Sequence, residues 1–452
     1  MAFFNKNDKI EMTDGSIATI IEDKPLGGGG QGEVYKISYN DSEYALKWYT
    51  SEKIINNSKN FKKNIEENIE IGAPTDKFLW PVALSKDIKN SFGYVMPLIP
   101  GNYESFSDFL RTYKLKIDSK GKAQRVRVGF KSLGAMISAA LHIVRSFREL
   151  HRRGLSYQDL KDGGFFIDPY TGDVLICDCD NVAPDRKNLG INGKPGYMAP
   201  EVVLCEKRPD TDSDKFSLAV VLFKLFMNGD PLEGAKVLKS CVLTGSAELE
   251  HYGRNPVFVY DPNDSSNRPV NGVHNNIIRK WGLYPEYIRE AFIRSFTLGL
   301  KDPTKRLIDN EWFSVLSRLR SDVVTCNCGA NQCFLSLNQD TTGKYTCPDC
   351  SRIFCILDLD KTKTALTIGA RIYEFQIDES SEDFMSVCAT VIENKNHPGI
   401  LGLKNESDKT WTVQYSDRTK EITPGGTAPI NDNMTIDFGF GIKGNTKGVS
   451  ND

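Results

Sequence analysis

The sequence predicts an α+β, two-lobed architecture followed by two smaller modules. Residues 15–50 alternate apolar and polar side chains around a glycine run, which is typical of strands joined by a tight turn. Over 214–320, apolar side chains instead recur at helical spacing. Six cysteines then fall between Cys326 and Cys355, and short alternating segments occupy 364–442. We therefore expect a strand-rich lobe, a helix-rich lobe, a cysteine-rich module and a small β-sandwich, in that order.

The bulk properties limit the classes of function. The 452 residues exceed what one ordinary core needs, and 40% hydrophobic content is normal for a globular protein. A net charge of −2 creates no overall field that favours nucleic acid or a membrane surface. No apolar run reaches the roughly 20 residues of a membrane-spanning helix, and the N-terminus lacks a signal-peptide pattern. We therefore expect a cytoplasmic protein with neither a membrane nor nucleic acid as its partner.

A glycine run near the N-terminus has the spacing of a phosphate-binding loop. It contains the pattern G-x-G-x-x-G-x-V, with Gly27, Gly29 and Gly32 in register and Val34 closing the motif. Glycines let backbone amides approach phosphate oxygens closely. Because the residues after Gly32 continue as a strand, the pattern favours a loop folded over a nucleotide, and a plain turn is the alternative.

Lys47 is the candidate phosphate-binding cation, thirteen residues after Val34 on what we predict to be the next strand. At this spacing an ammonium group reaches the α- and β-phosphates of a nucleotide. Such a lysine needs a carboxylate that orients it, and the following helix offers Glu66. Glu67 and Glu70 are rivals on that helix, and a solvated acidic face is the alternative for all three.

Two aspartates beside short apolar strands follow the long apolar helix predicted over 131–150. The first lies in Asp159-Leu-Lys161, and the second is Asp178. Phosphoryl transfer needs one carboxylate that accepts the proton of the attacking hydroxyl and another that holds Mg²⁺. We therefore predict that one of these aspartates is the base and that the other holds the magnesium, with Lys161 as the cation that neutralises the moving phosphate.

Three further motifs extend this pattern: Gly196-Tyr-Met-Ala-Pro-Glu201, Asp214-Lys-Phe-Ser217 and Asp302-Pro-Thr-Lys-Arg306. In this order the motifs make residues 26–306 resemble the eukaryotic-like Ser/Thr protein kinases. The resemblance implies a bilobal protein kinase fold that uses ATP and Mg²⁺ to phosphorylate protein substrates. By this resemblance Asp159 is the catalytic base and Asp178 is the magnesium ligand. It also implies that Arg306 forms a buried ion pair with Glu201, and that Asp214 is an internal hydrogen-bond anchor.

The same resemblance implies a hinge at residues 96–99, where Met96 precedes backbone groups of Pro97 and Ile99 that meet the adenine.

A narrower resemblance is to bacterial kinases associated with tellurite-resistance-type gene clusters. It rests on Phe78-Leu-Trp-Pro81, Phe92-Gly-Tyr-Val-Met-Pro97, Leu175-Ile-Cys-Asp178, Met198-Ala-Pro-Glu201 and the Asp261-Pro-Asn-Asp loop. It implies partnership with a von Willebrand A-domain protein and a metal-dependent Ser/Thr phosphatase.

The chain departs from the kinase pattern at three positions. Gly164 stands where kinases have an asparagine that binds a second magnesium, and the usual Asp-Phe-Gly is Asp178-Cys179-Asp180. Asp162 or Asp180 is a candidate substitute ligand. Gln158 replaces the arginine that would pair with a phosphate on the activation segment, so we expect no switch of that kind.

These departures leave two hypotheses for the function. The first is an active Ser/Thr kinase in bacterial stress or defence signalling, and the second is a nucleotide-binding pseudokinase that acts as a signalling scaffold. The first hypothesis is favoured because the chain retains four residues with catalytic roles in the kinase pattern: Lys47, Asp159, Lys161 and Asp178.

Four of the clustered cysteines have the spacing of a zinc ribbon. Cys326 and Cys328 form one pair, and after eighteen residues Cys347 and Cys350 form the second. Two such pairs can place four thiolates tetrahedrally around one Zn²⁺, with no open position for catalysis. We therefore predict a structural Zn²⁺ in a packing or partner-docking module. The stretch between the pairs lacks the interleaving of basic and aromatic residues that is typical of a nucleic-acid site.

The C-terminal segment completes the predicted domain order. Its strands from Leu401-Gly-Leu-Lys-Asn405 to Asp437-Phe-Gly439 resemble the later strands of forkhead-associated domains, although the residues of a phosphothreonine pocket are not recognisable. The predicted segments are an N-lobe over 1–97, a C-lobe over 98–321, a zinc ribbon over 322–358, a β-sandwich over 359–442 and a flexible tail over 443–452.

Overall fold

The computed structural model describes residues 3–117, 121–190, 193–239 and 244–448. The chain divides into two compact units. The first consists of Met1–Lys131, Ser138–Trp281 and Glu290–Trp312, and the second of Ser132–Ile137, Gly282–Arg289 and Phe313–Asp452. Each unit encloses buried apolar clusters of its own.

The first unit begins with a strand-rich lobe. Its elements are β1 (Lys9–Glu11), β2 (Ile17–Ile20), β3 (Gly27–Gly28), β4 (Gly32–Tyr39), β5 (Ser42–Tyr49), α1 (Glu52–Asn56), α2 (Ser58–Ile71), β6 (Ala83–Leu84) and β7 (Gly93–Pro97). The strands form one antiparallel sheet in the order β1-β2-β4-β5-β7-β6, with β3 paired to β4. Alternate side chains such as Tyr35, Ile37 and Leu46 are fully buried, so the period-two pattern produces the core of this lobe.

Helices dominate the chain beyond this sheet. The elements are β8 (Glu104–Ser105), α3 (Phe106–Arg111), β9 (Tyr113–Ile117), β10 (Ala123–Arg127), α4 (Leu133–Arg152), β11 (Leu155–Ser156), β12 (Phe165–Ile167), β13 (Val174–Ile176), β14 (Ala183–Pro184), α5 (Pro200–Val203), α6 (Thr211–Met227), α7 (Ala235–Leu238), α8 (Gly245–Glu248), α9 (Asn275–Trp281), α10 (Glu286–Phe296), α11 (Leu298–Lys301) and α12 (Asp309–Ser321). Asp210 caps α6 through Ser213, and this helix is buried on nearly every side. No helix within the described ranges is both long and apolar enough to cross a bilayer.

The C-terminal part of the second unit is rich in strands. Its elements are β15 (Val323–Val324), β16 (Cys333–Phe334), β17 (Ile356–Asp358), β18 (Lys363–Ala365), β19 (Arg371–Tyr373), α13 (Glu374–Ile377), β20 (Val387–Glu393), β21 (Leu401–Asn405), β22 (Trp411–Gln414), β23 (Thr419–Ile422), β24 (Thr427–Pro429), β25 (Thr435–Asp437) and β26 (Lys443–Lys447). One sheet has the order β18-β17-β26-β25-β22-β23 and the other β19-β20-β21-β24. Side chains from both sheets, including Trp411 and Leu403, share one core, as a β-sandwich requires.

Two of the predicted boundaries in this unit need correction. The segment 443–452 was expected to be a flexible tail, but residues 443–447 form β26, which pairs with both β17 and β25. Thr446 is 1% exposed, so a short polar run alternates between the core and solvent. The ribbon was expected to extend to residue 358, whereas β17 belongs to the sandwich sheet. Residues 449–452 lie outside the described ranges.

Candidate functional site

Lys47 on β5 is the centre of a buried polar cluster. Its Nζ donates to Oδ1 of Asp178 at 3.0 Å, to Oδ1 of Asp180 at 2.9 Å and to Oε1 of Gln31 at 2.9 Å. Burial disfavours the charge, but the two carboxylates outweigh it and raise the pKa of Lys47 above its ordinary value. Lys47 is therefore a fixed cation that connects the glycine loop with the segment after β13.

Asp180 is the more enclosed of the two carboxylate partners of Lys47. Its side chain is fully buried. Oδ2 accepts hydrogen bonds from Tyr49 Oη at 2.5 Å and from Lys47 Nζ at 3.1 Å, while Oδ1 accepts from Tyr94 Oη at 3.0 Å and from the same ammonium. Each oxygen already accepts two bonds, which uses the acceptor capacity of the carboxylate. In this arrangement Asp180 has no free lone pair for a second magnesium.

The structure corrects the expectation that Glu66 orients Lys47. Glu66 lies on the exposed face of α2, and the lysine is already bonded to Asp178 and Asp180. The rival Glu67 pairs with Lys187 at 2.8 Å. Glu66 and Glu67 therefore belong to a solvated acidic face of α2, which was the alternative interpretation of these residues.

The face of α2 that packs on residues 179–182 carries two asparagines. Asn64 donates to the carbonyl oxygens of Asp180 at 3.2 Å and Val182 at 2.7 Å, and Asn68 donates to that of Val182 at 2.9 Å. Both side chains are at most 1% exposed. Sequence reasoning missed these residues because hydropathy assigns asparagine to the solvent. Their spacing of four residues, which places both on the same face of the helix as Phe61 and Ile65, was the available signal.

Asp159 and Lys161 form the second half of the cluster. They are ion-paired, and Lys161 Nζ also lies 3.6 Å from Asp178 Oδ2. Burial raises the pKa of Asp159. For Asp178, burial acts in the same direction, but Lys47 and Lys161 outweigh it and hold the pKa of this carboxyl below its ordinary value. Contacts thus run without a break from Lys47 through Asp178 and Lys161 to Asp159, so the structure brings all four predicted residues together.

Gly164 has a local steric explanation. A Cβ at this position would lie 3.1 Å from the hydroxyl oxygen of Tyr157, which donates to the carbonyl of Cys177. The side chain of Tyr157 therefore occupies the space that an asparagine side chain at position 164 would need. The other candidate substitute, Asp162, bonds to Ser107 and Lys194; burial opposes its ionisation, but these contacts lower its pKa to about 2. Of the candidate ligands, Asp178 has the most exposed side chain, at 24% compared with 17% for Asp162 and 0% for Asp180.

The glycine loop lies directly across from Lys47. β3 pairs with β4, so that Gly27 opposes Val34, and the amide of Gly29 donates to the carbonyl of Gly32 at 2.9 Å. Val34 is in turn the cross-strand partner of Lys47. At Gly32, a Cβ would lie 2.0 Å from the backbone oxygen of Trp48, so only glycine fits.

The predicted hinge follows the last residues of β7. Met96 is buried and opposite Ala45, and the strand ends at Pro97. Because proline has no N–H, Pro97 can offer an adenine only its carbonyl oxygen. Ile99, two residues further along, is half-buried and retains both backbone groups.

The predicted anchors of the helical lobe are confirmed. Glu201 accepts two hydrogen bonds from Arg306, both at 2.8 Å, and Arg306 also donates to the carbonyl oxygens of Gly299 and Asp212. Asp214 accepts from the backbone amides of Tyr157 at 2.6 Å and Gln158 at 2.9 Å. The aspartate at the start of α6 thereby fixes the loop that carries Asp159.

Gln158 ties down the activation segment without charge. Its side-chain amide donates to the carbonyl of Lys187 at 2.6 Å and to Ser156 at 2.9 Å, and its oxygen accepts from Asn188 at 2.7 Å. An arginine in this position would need a phosphate partner, whereas the neutral amide is satisfied by the segment itself. That no arginine–phosphate switch operates here stays a prediction.

A group of four cysteines lies in the second unit. The Sγ atoms of Cys326, Cys328, Cys347 and Cys350 all lie within 4.8 Å of one another. The pairs 326–350 and 328–347 are 3.7 and 3.8 Å apart. A tetrahedron with metal–sulfur bonds of about 2.3 Å has edges of about 3.8 Å. The predicted cysteines therefore form a cluster with the geometry to hold a metal ion.

Two lobes with a charged cluster between the glycine loop and Asp159 are the arrangement expected of the protein kinase fold. In agreement, the family model described as protein kinase domain matches residues 20–250. The chain therefore belongs to the protein kinase family, and this membership implies the use of ATP and Mg²⁺.

Individual kinases are similar over shorter stretches. Beta-adrenergic receptor kinase 1 of Mesocricetus auratus is 35% identical over 112 residues, covering 24% of this chain and 16% of that protein. Rhodopsin kinase GRK1 of Rattus norvegicus is 26% identical over 220 residues, or 47% of this chain and 36% of that protein. A cGMP-dependent protein kinase, isozyme 2 forms cD5/T2 of Drosophila melanogaster, is 31% identical over 113 residues, or 24% of this chain and 12% of that protein. The chain thus spans well under half the length of these relatives.

Proposed function

We propose that this protein transfers the γ-phosphoryl group of ATP to Ser or Thr hydroxyls of protein substrates. The observation that supports this function best is the unbroken set of contacts from Lys47 to Asp159, which joins groups from both lobes. The network contains two cations and three carboxylates, counting Asp180. Such a surplus of negative charge suits a divalent cation.

Each residue of the network has a role in this reaction. Asp159 accepts the proton of the substrate hydroxyl, and burial has raised its pKa toward that task. Lys161 neutralises charge on the transferred group, and Lys47 binds the α- and β-phosphates. The two lysines that lower the pKa of Asp178 favour its carboxylate form, which would hold a Mg²⁺ ion, and that ion would supply neutralising charge to the phosphates. The glycine loop and the backbone at Pro97 and Ile99 enclose the nucleotide.

Sequence resemblance is the basis on which we propose the substrate class and the biological setting. The preference for Ser or Thr follows from Lys161 and from the resemblance to eukaryotic-like kinases. The narrower resemblance favours a bacterial stress or defence pathway in the cytoplasm, with a von Willebrand A-domain protein and a metal-dependent Ser/Thr phosphatase as partners. We retain residues 1–97 and 98–321 as the two kinase lobes, and the C-terminal sandwich as an interaction domain.

Transfer of radiolabel from [γ-³²P]ATP to a mixed protein substrate tests the activity. Wild-type protein should incorporate label, whereas Asp159→Asn and Lys47→Ala should lose it by about 10²–10⁴-fold because each removes a group that acts in the transition state. Label that persists in both variants would show a contaminating kinase. No transfer by a wild-type protein that binds ATP would instead favour the scaffold function, which Gly164 makes the second candidate.

We also propose that the four-cysteine cluster holds a structural Zn²⁺. Four thiolate ligands leave no position for water or substrate, so the ion would stabilise its module without taking part in catalysis. Purified protein should contain one equivalent of zinc, and Cys347→Ser should lose most of it and lower the unfolding temperature. Cys333→Ser is the matched control, because Cys333 lies outside the cluster. Equal zinc content in all three proteins would contradict the assignment.

A further inference from the structure

We propose that Asp180 is the positioning residue for Lys47, in place of a carboxylate on the helix of the first lobe. This inference rests on the proposed function and specifies how its phosphate-binding lysine is oriented. The residue that fixes the lysine would then lie two positions from the metal ligand Asp178, on the same segment of chain.

The two carboxylates bonded to Lys47 differ in accessibility. The Asp178 side chain is 24% exposed and also contacts Lys161, whereas the Asp180 side chain is completely buried. A carboxylate that binds a metal ion must redirect lone pairs from the ammonium to the ion. Asp180 has no such second task, so its contact with Lys47 is the one that persists when the cleft is loaded.

The sheet itself holds Asp180 in place. Tyr49 lies two residues after Lys47 on β5, so both side chains point to the same face of the strand. Tyr94 on β7 is the direct cross-strand partner of Lys47. The two tyrosine hydroxyls donate to the two different oxygens of Asp180, at 2.5 and 3.0 Å. Three side chains of one sheet face thus meet one carboxylate.

Helix α2 has a different part in this arrangement. Asn64 and Asn68 bind backbone carbonyls of residues 179–182, and neither amide bonds to Lys47. The helix therefore stabilises the segment that carries Asp180, while its own acidic residues are not needed by the lysine. Orientation of Lys47 should be sensitive to changes in this segment and insensitive to loss of charge on α2.

A double-mutant cycle on kcat tests this role. Asp180→Asn keeps the shape of the side chain and removes its charge, and we expect kcat to fall on the order of 100-fold, as for other misplaced catalytic groups. In a Lys47→Met background the same substitution should cause no further loss, because Asp180 acts only through the lysine. Glu70→Gln, on the exposed face of α2, should leave kcat unchanged. Multiplicative losses in the double variant would overturn the proposal, as would a Glu66→Gln loss equal to that of Asp180→Asn.

Two further measurements keep the test decisive if Asp180→Asn folds poorly or the wild type transfers no phosphate. Tyr94→Phe removes one hydrogen-bond donor to Asp180 while keeping the ion pair between Asp180 and Lys47, and it should reduce kcat by roughly 10-fold. Its effect should also be non-additive with that of Lys47→Met. Binding of trinitrophenyl-ATP provides the same cycle without turnover. A wild type that transfers no phosphate would refute only the proposed kinase activity. Non-additive changes in nucleotide affinity would still support Asp180 as the positioning residue for Lys47, whereas additive changes would overturn that role.

Discussion

Two buried ionic clusters of the first unit contrast with each other. In the cleft, Lys47 and Lys161 face three aspartates, so negative charge is in excess. Beneath the activation segment, Glu201 and Arg306 balance one another, and the guanidinium makes four hydrogen bonds. A charge-balanced pair that is bonded in this way has only a structural role. An unbalanced group beside an accessible carboxylate suits a bound cation, and this difference distinguishes the reaction site from the scaffold.

His151 belongs to another buried ionic group of the first unit, in which one imidazole faces two aspartates. Its Nδ1 lies 2.7 Å from Asp309 and its Nε2 lies 3.4 Å from Asp214. Burial disfavours the imidazolium, but the two aspartates outweigh it and raise the pKa of His151 to about 9. A protonated histidine thus offsets part of the charge on Asp214, which holds the catalytic loop.

Breaking the balanced pair should have the largest effect on stability. Arg306→Met leaves Glu201 as a partly buried charge without its partner, and we expect a loss of about 3–5 kcal/mol in the free energy of unfolding. Urea denaturation followed by fluorescence measures it. The exposed pair Arg294–Glu311 supplies the control, since Glu311→Gln should cost less than about 1 kcal/mol. Similar costs for both variants would remove the distinction between the two kinds of pair.

The pH dependence of stability should reveal the role of His151. Because its folded-state pKa of about 9 exceeds the ordinary 6.5, its stabilising contribution is complete below about pH 6.5 and disappears as the pH rises through 9. We expect wild-type protein to lose roughly 3 kcal/mol more than His151→Gln between pH 6 and pH 9.5. Parallel pH profiles of unfolding free energy in the two proteins would show that His151 is not protonated in the fold.

Introducing the usual kinase asparagine at position 164 tests whether the cleft has room for a second metal ligand. Gly164→Asn places a Cβ against the Tyr157 hydroxyl, so we expect a destabilisation of about 1–3 kcal/mol and no tighter binding of Mg²⁺. At the neighbouring Gly163 a Cβ meets open space, and Gly163→Asn should be tolerated. Thermal unfolding and Mn²⁺ titration compare the two. A stable Gly164→Asn protein with a newly acquired metal site would show that the cleft accommodates the second ligand.

The sequence predicted those parts of the molecule that depend on local spacing. The glycine loop, the pair of catalytic-loop residues and the cysteine pairs each lie within a few positions, and the structure places them as groups. Asp180 as the partner of Lys47 was not predicted, because a carboxylate on the following helix fitted the pattern and no motif assigned this role to position 180. Strand β26 was also missed, since its partner β17 lies far earlier in the chain and its buried Thr446 is polar.

Metal-dependent nucleotide binding tests the central claim most directly. ATP analogue would be titrated calorimetrically into wild-type protein and Asp178→Asn, each with Mg²⁺ and with EDTA. If the excess negative charge of the cleft is there to hold a cation with the nucleotide, Mg²⁺ should tighten binding to the wild type at least 10-fold and should have little effect on Asp178→Asn. Equal affinities under all four conditions, or no binding at all, would contradict the account.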